Sequence, residues 1–256
     1  MSPRLQVEGL RRNFGGIQAL VDMSFETRKG EVFGVIGPNG AGKTTLFNVI
    51  AGSVSPSGGR VRFDGTDITA LSPERVARLG IGRTFQATNI FNRETVGENL
   101  RRGALLSKIF SPAAFVRRCL SAPPGADALQ PDHAAAFVGL GNCLDQRADT
   151  LSYGLQKLLG VGMAMMMQPR LMLMDEPAAG LNPTEKTKMA ALIRGLSRDR
   201  GIDVIVVEHD MPLIMQACDR ILVMSYGKRI ALGTPTDIRS DQTVIDAYLG
   251  AEYAFA

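Results

Sequence analysis

The feature that most constrains the fold of this 256-residue chain is the glycine-rich segment GPNGAGKT at residues 37–44. It satisfies the pattern G-x-x-x-x-G-K-[S/T], follows the apolar run EVFGVI and precedes TLFNVIAG, which has helical character. The glycines let the backbone N–H groups wrap around a phosphate chain, and a helix N-terminus adds positive potential. The chain has 28 glycines, so a chance match in a glycine-rich turn is the alternative. The order strand, loop, helix is the one that phosphate binding requires and therefore favours a phosphate-binding loop.

Within this loop the residue types assign separate roles. We predict that Lys43 reaches the β- and γ-phosphates of a nucleotide and that Thr44 coordinates Mg²⁺. The segment predicted to contact the nucleotide consists of Gly37, Pro38, Asn39, Gly40, Ala41, Gly42, Lys43, Thr44 and Thr45.

A second motif, LMLMDEP at residues 171–177, places two adjacent carboxylates at the end of an apolar run. The carboxyl end of a buried strand is where α/β sheets bind ligands. Asp175 is predicted to hold Mg²⁺ through water, and Glu176 to orient or deprotonate the attacking water. Taken alone, Asp-Glu-Pro is equally well a solvated strand exit. After a phosphate loop it indicates a nucleoside triphosphatase.

The order of elements along the chain predicts the fold class. Short β-like runs dominate the beginning, and helix-forming sequence follows from about residue 95 to 160, interrupted by a proline-rich loop at 121–131. Buried strands then alternate with helices to the end of the chain. This pattern predicts an α/β protein with a mainly parallel sheet and a helical block inserted in its middle.

Composition excludes several classes of protein. With 45% hydrophobic and 21% charged residues the chain is ordinary for a globular protein, which excludes disordered and fibrous classes. The net charge of +4 is too small to indicate nucleic-acid binding. The three cysteines are widely separated, which argues against a zinc site or a disulfide framework. The charged N-terminus and the short apolar runs predict neither a signal peptide nor a membrane span.

The segment LSYGLQK at 151–157 resembles the signature of ATP-binding cassette (ABC) ATPases. That resemblance implies that Ser152, Tyr153 and Gly154 contact the γ-phosphate of ATP held by the opposite subunit. Other elements of the family follow in order. Phe14 matches the aromatic residue that stacks on adenine, and Gln86 the glutamine that contacts Mg²⁺. AAGLNP at 178–183 matches the loop after the acidic pair, and His209 matches the switch histidine.

Each of these assignments has a simpler alternative. Phe14 could be a core aromatic residue, Gln86 a surface residue at a strand end, and His209 an ordinary histidine at a strand exit. The position of His209, one helix after the acidic pair, favours the switch role. His133, in the loop-rich insert, is interpreted as an ordinary histidine without a functional role.

A narrower resemblance is to the ATPase subunits of branched-chain amino acid importers, a group that includes relatives handling urea, short amides or aromatic acids. The motifs that carry it are RTFQ, LSYG, EPAAGLNP, EHDM and the ending GTP…IR…YLGAE. The chain departs from the usual pattern at Leu155, where Gln or Glu is common, and in the apolar stretch KLLGVGMAMMM. We expect these differences to affect the rate of hydrolysis or the fit of this helix.

The resemblance implies the remaining expectations. The fold is a P-loop NTPase with a RecA-like core at about 1–90 and 165–256, an N-terminal antiparallel β subdomain and a helical subdomain at about 91–164. The whole chain, 1–256, forms one nucleotide-binding domain that uses ATP and Mg²⁺. Its partners are two transmembrane permease subunits, a second ATPase subunit, identical or paralogous, and indirectly a solute-binding protein. It works on the cytoplasmic face of the inner membrane, as a peripheral protein, and binds no nucleic acid.

Three other functions are weighed against this one. An exporter ATPase of the lipopolysaccharide type has the same chemistry and is the main alternative. A soluble ABC protein acting on DNA or ribosomes would carry a long coiled coil or a second cassette, and neither pattern is present in the sequence. A degenerate, regulatory subunit is disfavoured by the intact Lys43, Glu176 and His209.

Overall fold

The computed structural model describes residues 3–84, 90–110 and 129–246, with two β-sheets among them. The first sheet is antiparallel, in the order β2-β1-β4-β5. Its strands are β1 (Leu5–Phe14), β2 (Ile17–Thr27), β4 (Gly58–Phe63) and β5 (Thr66–Asp67). The Gly15-Gly16 dipeptide joins β1 to β2, and Gly15 adopts a φ of 57°, which glycine reaches without strain.

The second sheet is mainly parallel and has the order β10-β9-β3-β8-β7-β6. Only the edge pair β9–β10 is antiparallel. Its strands are β3 (Val32–Ile36), β6 (Ile81–Arg83), β7 (Leu171–Asp175), β8 (Asp203–Val207), β9 (Arg220–Ser225) and β10 (Lys228–Gly233).

The parallel strands read as continuous apolar runs because both faces of the sheet are covered. Along β3, Phe33 and Val35 join one hydrophobic cluster, with the antiparallel sheet and the first helix, whereas Val32 and Ile36 join a second cluster on the opposite face. The same alternation holds along β7, β8 and β9. The sheet therefore separates two hydrophobic cores.

Helices connect the strands. Their bounds are α1 (Lys43–Ile50), α2 (Pro73–Arg78), α3 (Val96–Phe110), α4 (Pro131–Phe137), α5 (Tyr153–Met166), α6 (Pro183–Arg200), α7 (Met211–Ala217), α8 (Pro235–Ser240) and α9 (Gln242–Val244). Helix α6 begins with a capping box between Asn182 and Glu185 and ends at Gly201, which has a φ of 65°. Ser72 precedes α2 at the N-cap position, but its side chain makes no capping hydrogen bond.

This architecture confirms the predicted α/β fold class, with an antiparallel sheet at the N-terminus and helices α3 to α5 between β6 and β7. Within the described ranges, no helix combines the length and the hydropathy needed to cross a bilayer. Most of the predicted proline-rich loop at 121–131, and Gln86, lie outside the described residues.

Candidate functional site

The predicted phosphate loop lies between β3 and α1, and its glycines are required by close backbone approaches. Gly37 has a φ of 154° and Gly42 a φ of 98°. A Cβ atom on Gly37 would overlap the carbonyl oxygen of Met224, and one on Gly42 the carbonyl oxygen of Ala19. The loop is therefore held against the ends of β9 and β2. Asn39 and Gly40, at its tip, are exposed.

Lys43 is folded back onto this loop. Its Nζ donates hydrogen bonds to the carbonyl oxygens of Gly37 at 2.6 Å and Pro38 at 3.0 Å. Burial lowers the pKa of the Lys43 ammonium, and the negative charges of Glu176 and Asp175 oppose that shift. The ammonium is thus pre-positioned at the loop, within the field of both acidic residues.

Asp175 ends β7 and is only 2% exposed. Its Oδ2 accepts a hydrogen bond of 3.0 Å from Arg83 at the end of β6, and Arg83 also donates to Asn48 of α1 at 2.7 Å. The other carboxylate oxygen, Oδ1, is buried and has no hydrogen-bond partner among the residues that the structure describes. An unpaired buried carboxylate oxygen is costly unless a ligand satisfies it.

That oxygen tests whether Mg²⁺ fits here. Mg²⁺ takes oxygen ligands and is held by one or two protein groups together with substrate phosphates. Asp175 Oδ1 and the exposed hydroxyl-bearing Thr44, in the first turn of α1, are of the right chemistry. Within the described ranges no group of three His, Cys, Asp or Glu side chains forms a cage of its own. The donor set therefore fits a Mg²⁺ ion that shares its coordination with a nucleotide.

Glu176 follows Asp175 with a left-handed backbone, at a φ of 49°. This conformation is uncommon for a residue with a side chain and is typical of functional sites. The Glu176 N–H donates to the carbonyl oxygen of Val207 at 2.9 Å, and the carbonyl oxygen of Glu176 accepts from Lys157 Nζ at 3.4 Å. The half-buried Glu176 is thus held in a fixed turn at the carboxyl edge of the sheet.

His209 follows β8 at the same edge, and its side chain is 63% exposed. Its backbone N–H donates to Oε2 of Glu208 at 3.0 Å. Glu208 itself is buried, and burial raises the pKa of its carboxyl. The His209 imidazole is therefore exposed to solvent, on a loop whose backbone is held by the buried Glu208 carboxylate. His133, by contrast, is exposed on α4.

The predicted signature residues open helix α5. Ser152 occupies the N-cap position, and its Oγ accepts a hydrogen bond from the Leu155 N–H at 3.4 Å. Tyr153 is 47% exposed, and its ring lies against Gly180, where an added Cβ would come within 2.9 Å of Cε1. Gly154 faces the Glu185 carboxylate. The signature thus packs against the segment that follows the acidic pair.

Phe14 ends β1, paired with Ile17 across the hairpin. Its side chain is 44% exposed, so the core alternative for this residue does not hold. The Arg12 guanidinium lies 4.3 Å from the centre of the Phe14 ring. An exposed ring with a cation on one face is suited to stacking a planar base on the other. The role in adenine binding stays a prediction.

The structure brings the phosphate loop, Asp175, Glu176 and His209 together at the carboxyl edge of one sheet, because β3, β7 and β8 are parallel neighbours. Two residues of this edge were missed by the sequence reasoning. Arg83 pairs with Asp175, and Glu208 supports His209. For Glu208 the available signal was a charged residue directly after an apolar strand. Arg83 is the last residue of the short strand β6, and its available signal was its place in the RTFQ motif.

Comparison with known proteins places this geometry in a family. Residues 20–179 match the family model described as "ABC transporter", and residues 228–254 match "Branched-chain amino acid ATP-binding cassette transporter". The chain is 40% identical to the high-affinity branched-chain amino acid transport ATP-binding protein BraF of Pseudomonas aeruginosa, over 97% of this chain and 98% of that protein. It is 38% identical to the corresponding protein LivG of Escherichia coli, with the same coverage of both chains.

More distant relatives and solved structures agree with this placement. The lipopolysaccharide export system ATP-binding protein LptB of Haemophilus influenzae is 31% identical, over 97% of this chain and 98% of that one. A crystal structure of an ATP-binding cassette of an ABC transporter in its ADP conformation superposes with a TM-score of 0.82 at 32% identity, covering 98% of this chain and 100% of that chain. A nucleotide-free cassette gives a TM-score of 0.80 at 31% identity, covering 97% of this chain and 100% of that chain.

Proposed function

Since this chain belongs to the ABC transporter family and is an ATPase of that family, we propose that it powers the uptake of branched-chain amino acids through partner membrane subunits. The observation that carries the substrate class is the match of the C-terminal residues 228–254 to the branched-chain amino acid family model. The named relatives at 38–40% identity transport the same class of solute. Related small polar or aromatic solutes fall within the same proposal.

The residues at the carboxyl edge of the central sheet carry out the hydrolytic chemistry. Lys43 neutralises charge on the β- and γ-phosphates, and Glu176 orients and deprotonates the attacking water. His209, exposed on its anchored loop, contacts the γ-phosphate and stabilises the charge that develops there. When bound, Mg²⁺ neutralises phosphate charge; Asp175, Thr44 and Gln86 are the residues that would hold it.

Two chains form the working unit, facing each other head to tail. Each nucleotide is contacted by the phosphate loop and Phe14 of one chain and by Ser152, Tyr153 and Gly154 of the other. The exposure of Tyr153 and of the loop tip at Asn39 and Gly40 supports this arrangement, since both surfaces are open to a partner. ATP favours the closed pair and ADP the open one, so hydrolysis resets the unit.

The chain acts as one nucleotide-binding domain, with the core at about 1–90 and 165–256 and a helical subdomain at about 91–164. Closure of the pair moves the helical subdomain and Gln86 against two membrane permease subunits. The protein therefore lies on the cytoplasmic face of the membrane, held there by its partners, and an external solute-binding protein delivers the amino acid.

Phosphate release from ATP by the purified chain, alone and with its membrane subunits in lipid vesicles, tests this proposal. Lys43→Ala should abolish hydrolysis. Lys188→Ala, which removes an exposed lysine from α6, is the matched control and should leave the rate unchanged. Uptake of labelled leucine that requires ATP, the binding protein and Lys43 supports import. Hydrolysis stimulated by lipopolysaccharide and not by leucine would instead establish the exporter alternative.

A further inference from the structure

The buried carboxylate of Glu208 connects two loops that both reach the candidate site. Glu208 follows β8 and is 1% exposed. One of its oxygens, Oε1, accepts a hydrogen bond of 2.7 Å from the N–H of Ala178. The other, Oε2, accepts from the N–H groups of His209 at 3.0 Å and Asp210 at 3.4 Å. The carboxylate therefore divides its two oxygens between two segments of the chain.

The first segment, Pro177–Asn182, is called here the acidic-strand loop. It begins directly after Glu176, contacts Tyr153 through Gly180 and leads into the cap of α6. The second segment, Glu208–Asp210, is called the switch loop because it carries His209. The two loops are separated by the whole of α6 and β8 in sequence. Between them, the Glu208 side chain supplies the hydrogen bonds that fix their relative position.

The geometry points to Glu208 as a positioning residue that couples the two loops. A displacement of the acidic-strand loop is transmitted through the Glu208 carboxylate to His209, and a displacement of His209 is transmitted to the acidic-strand loop. This inference rests on the proposed function, because only a nucleotide sandwiched between two chains makes such a displacement useful. The acidic-strand loop touches the signature of its own chain, which serves the partner's nucleotide, whereas His209 serves the nucleotide of its own chain. Glu208 would thus link the two ATP sites of the pair.

Both the length and the charge of the Glu208 side chain are needed for it to bind the two loops at once. Backbone N–H donors of both loops converge on a carboxylate that no solvent reaches. Loss of the bond from Ala178, which is itself buried, leaves a buried donor unsatisfied. Glu208→Gln keeps the length but offers only one oxygen, so one loop loses its acceptor. Glu208→Asp keeps the charge but is one methylene shorter and cannot serve both loops from the same backbone position.

Strand β8 offers a matched control at its other end. Asp203 is also a buried carboxylate, which accepts a hydrogen bond from the Gly30 N–H at 2.6 Å and pairs with Arg4. It lies at the amino edge of the sheet, away from the candidate site. Asp203→Asn should therefore lower the thermal midpoint as Glu208→Gln does, without a specific effect on turnover.

Steady-state ATP hydrolysis of the full complex gives the first test. We expect Glu208→Gln and Glu208→Asp each to lower kcat about 10- to 100-fold, the range for a displaced catalytic group, with KM for ATP changed less than about threefold. Asp203→Asn should retain kcat. Normal turnover in Glu208→Asp, or an equal loss of kcat in Asp203→Asn, would overturn the positioning role.

Amide hydrogen exchange of the nucleotide-free chain gives a second test that needs no hydrolysis and stays informative if a variant loses stability. Glu208→Ala, which removes both acceptor oxygens, should raise exchange in peptides covering residues 177–182 and 208–212 together, and Asp203→Asn should raise neither. Faster exchange in neither segment, or in only one of them, overturns the inference. A wild-type complex that does not hydrolyse ATP defeats the proposed function instead, and the exchange result still stands.

Discussion

Replacement of Gly154 by alanine tests the contact between the predicted signature and helix α6. A Cβ atom on Gly154 would lie 2.7 Å from Cδ of Glu185, well inside ordinary van der Waals distance. The Glu185 carboxylate must then swing away, and its Oε2 loses the hydrogen bond of 3.0 Å from the Asn182 N–H. The other half of the capping box, from Glu185 N–H to Asn182 Oδ1 at 3.0 Å, involves no displaced atom.

The expected change in stability is a difference of two effects. Glycine to alanine in a helix stabilises by about 0.5–1 kcal/mol, and losing a capping interaction costs about 1 kcal/mol. Gly154→Ala should therefore be near neutral. Gly160→Ala is the matched control on the same helix, because its Cβ would meet nothing within 4 Å and it keeps the full gain. For a chain of this size, 1 kcal/mol corresponds to about 2 °C in Tm.

The assay is thermal unfolding followed by circular dichroism, in the wild-type and Glu185→Ala backgrounds. In the wild-type background Gly154→Ala should melt about 2 °C below Gly160→Ala. In the Glu185→Ala background the two should melt together, because the displaced carboxylate is absent. A gap that persists without the Glu185 carboxylate would show that displacement of this carboxylate is not the cause of the difference. Phosphate release should fall in Gly154→Ala in both backgrounds, since the glycine is also a predicted phosphate contact.

Three further predictions concern other parts of the site. Phe14→Ala should weaken ATP binding by about 1–2 kcal/mol with little change in turnover, and Phe14→Trp should restore it; unchanged affinity in fluorescence titration removes the stacking role. Gln86→Ala should keep ATP binding but lose stimulation of hydrolysis by the membrane partners, and transport at the wild-type rate by this variant would contradict a coupling role. Because burial raises the pKa of Glu208 in the folded state, the folded protein holds a proton to higher pH than the unfolded chain. The Tm of wild type relative to Glu208→Gln should therefore rise as pH falls from 8 towards 5, and a difference independent of pH would show that the carboxyl carries no such shift.

The sequence predicted the phosphate loop and the central strands because their signals are local. β3, β7 and β8 are apolar on both faces. The motif specifies glycine at loop positions where a Cβ atom would clash with neighbouring backbone. The contacts of the site are not local. Arg83 reaches Asp175 across 92 residues, and Glu208 reaches Ala178 across 30. A charged residue after an apolar strand looks the same whether it faces water or binds buried N–H groups. For Phe14 the sequence left two alternatives, and its exposure decides between them.

In the proposed mechanism, ATP holds this ATPase and a second ATPase subunit together until Glu176 permits hydrolysis. Glu176→Gln keeps the size of the side chain and removes the carboxylate, while Lys43, Thr44 and Asp175 still bind ATP and Mg²⁺. The direct measurement is light scattering after size exclusion, with and without ATP and in the presence of the membrane partners, alongside phosphate release. We predict a loss of at least about 10²-fold in turnover and a chain pair that is stable only with ATP. Near-normal hydrolysis would contradict the role of Glu176, and an inactive variant whose ATPase domains stay apart in ATP would contradict the head-to-tail pair.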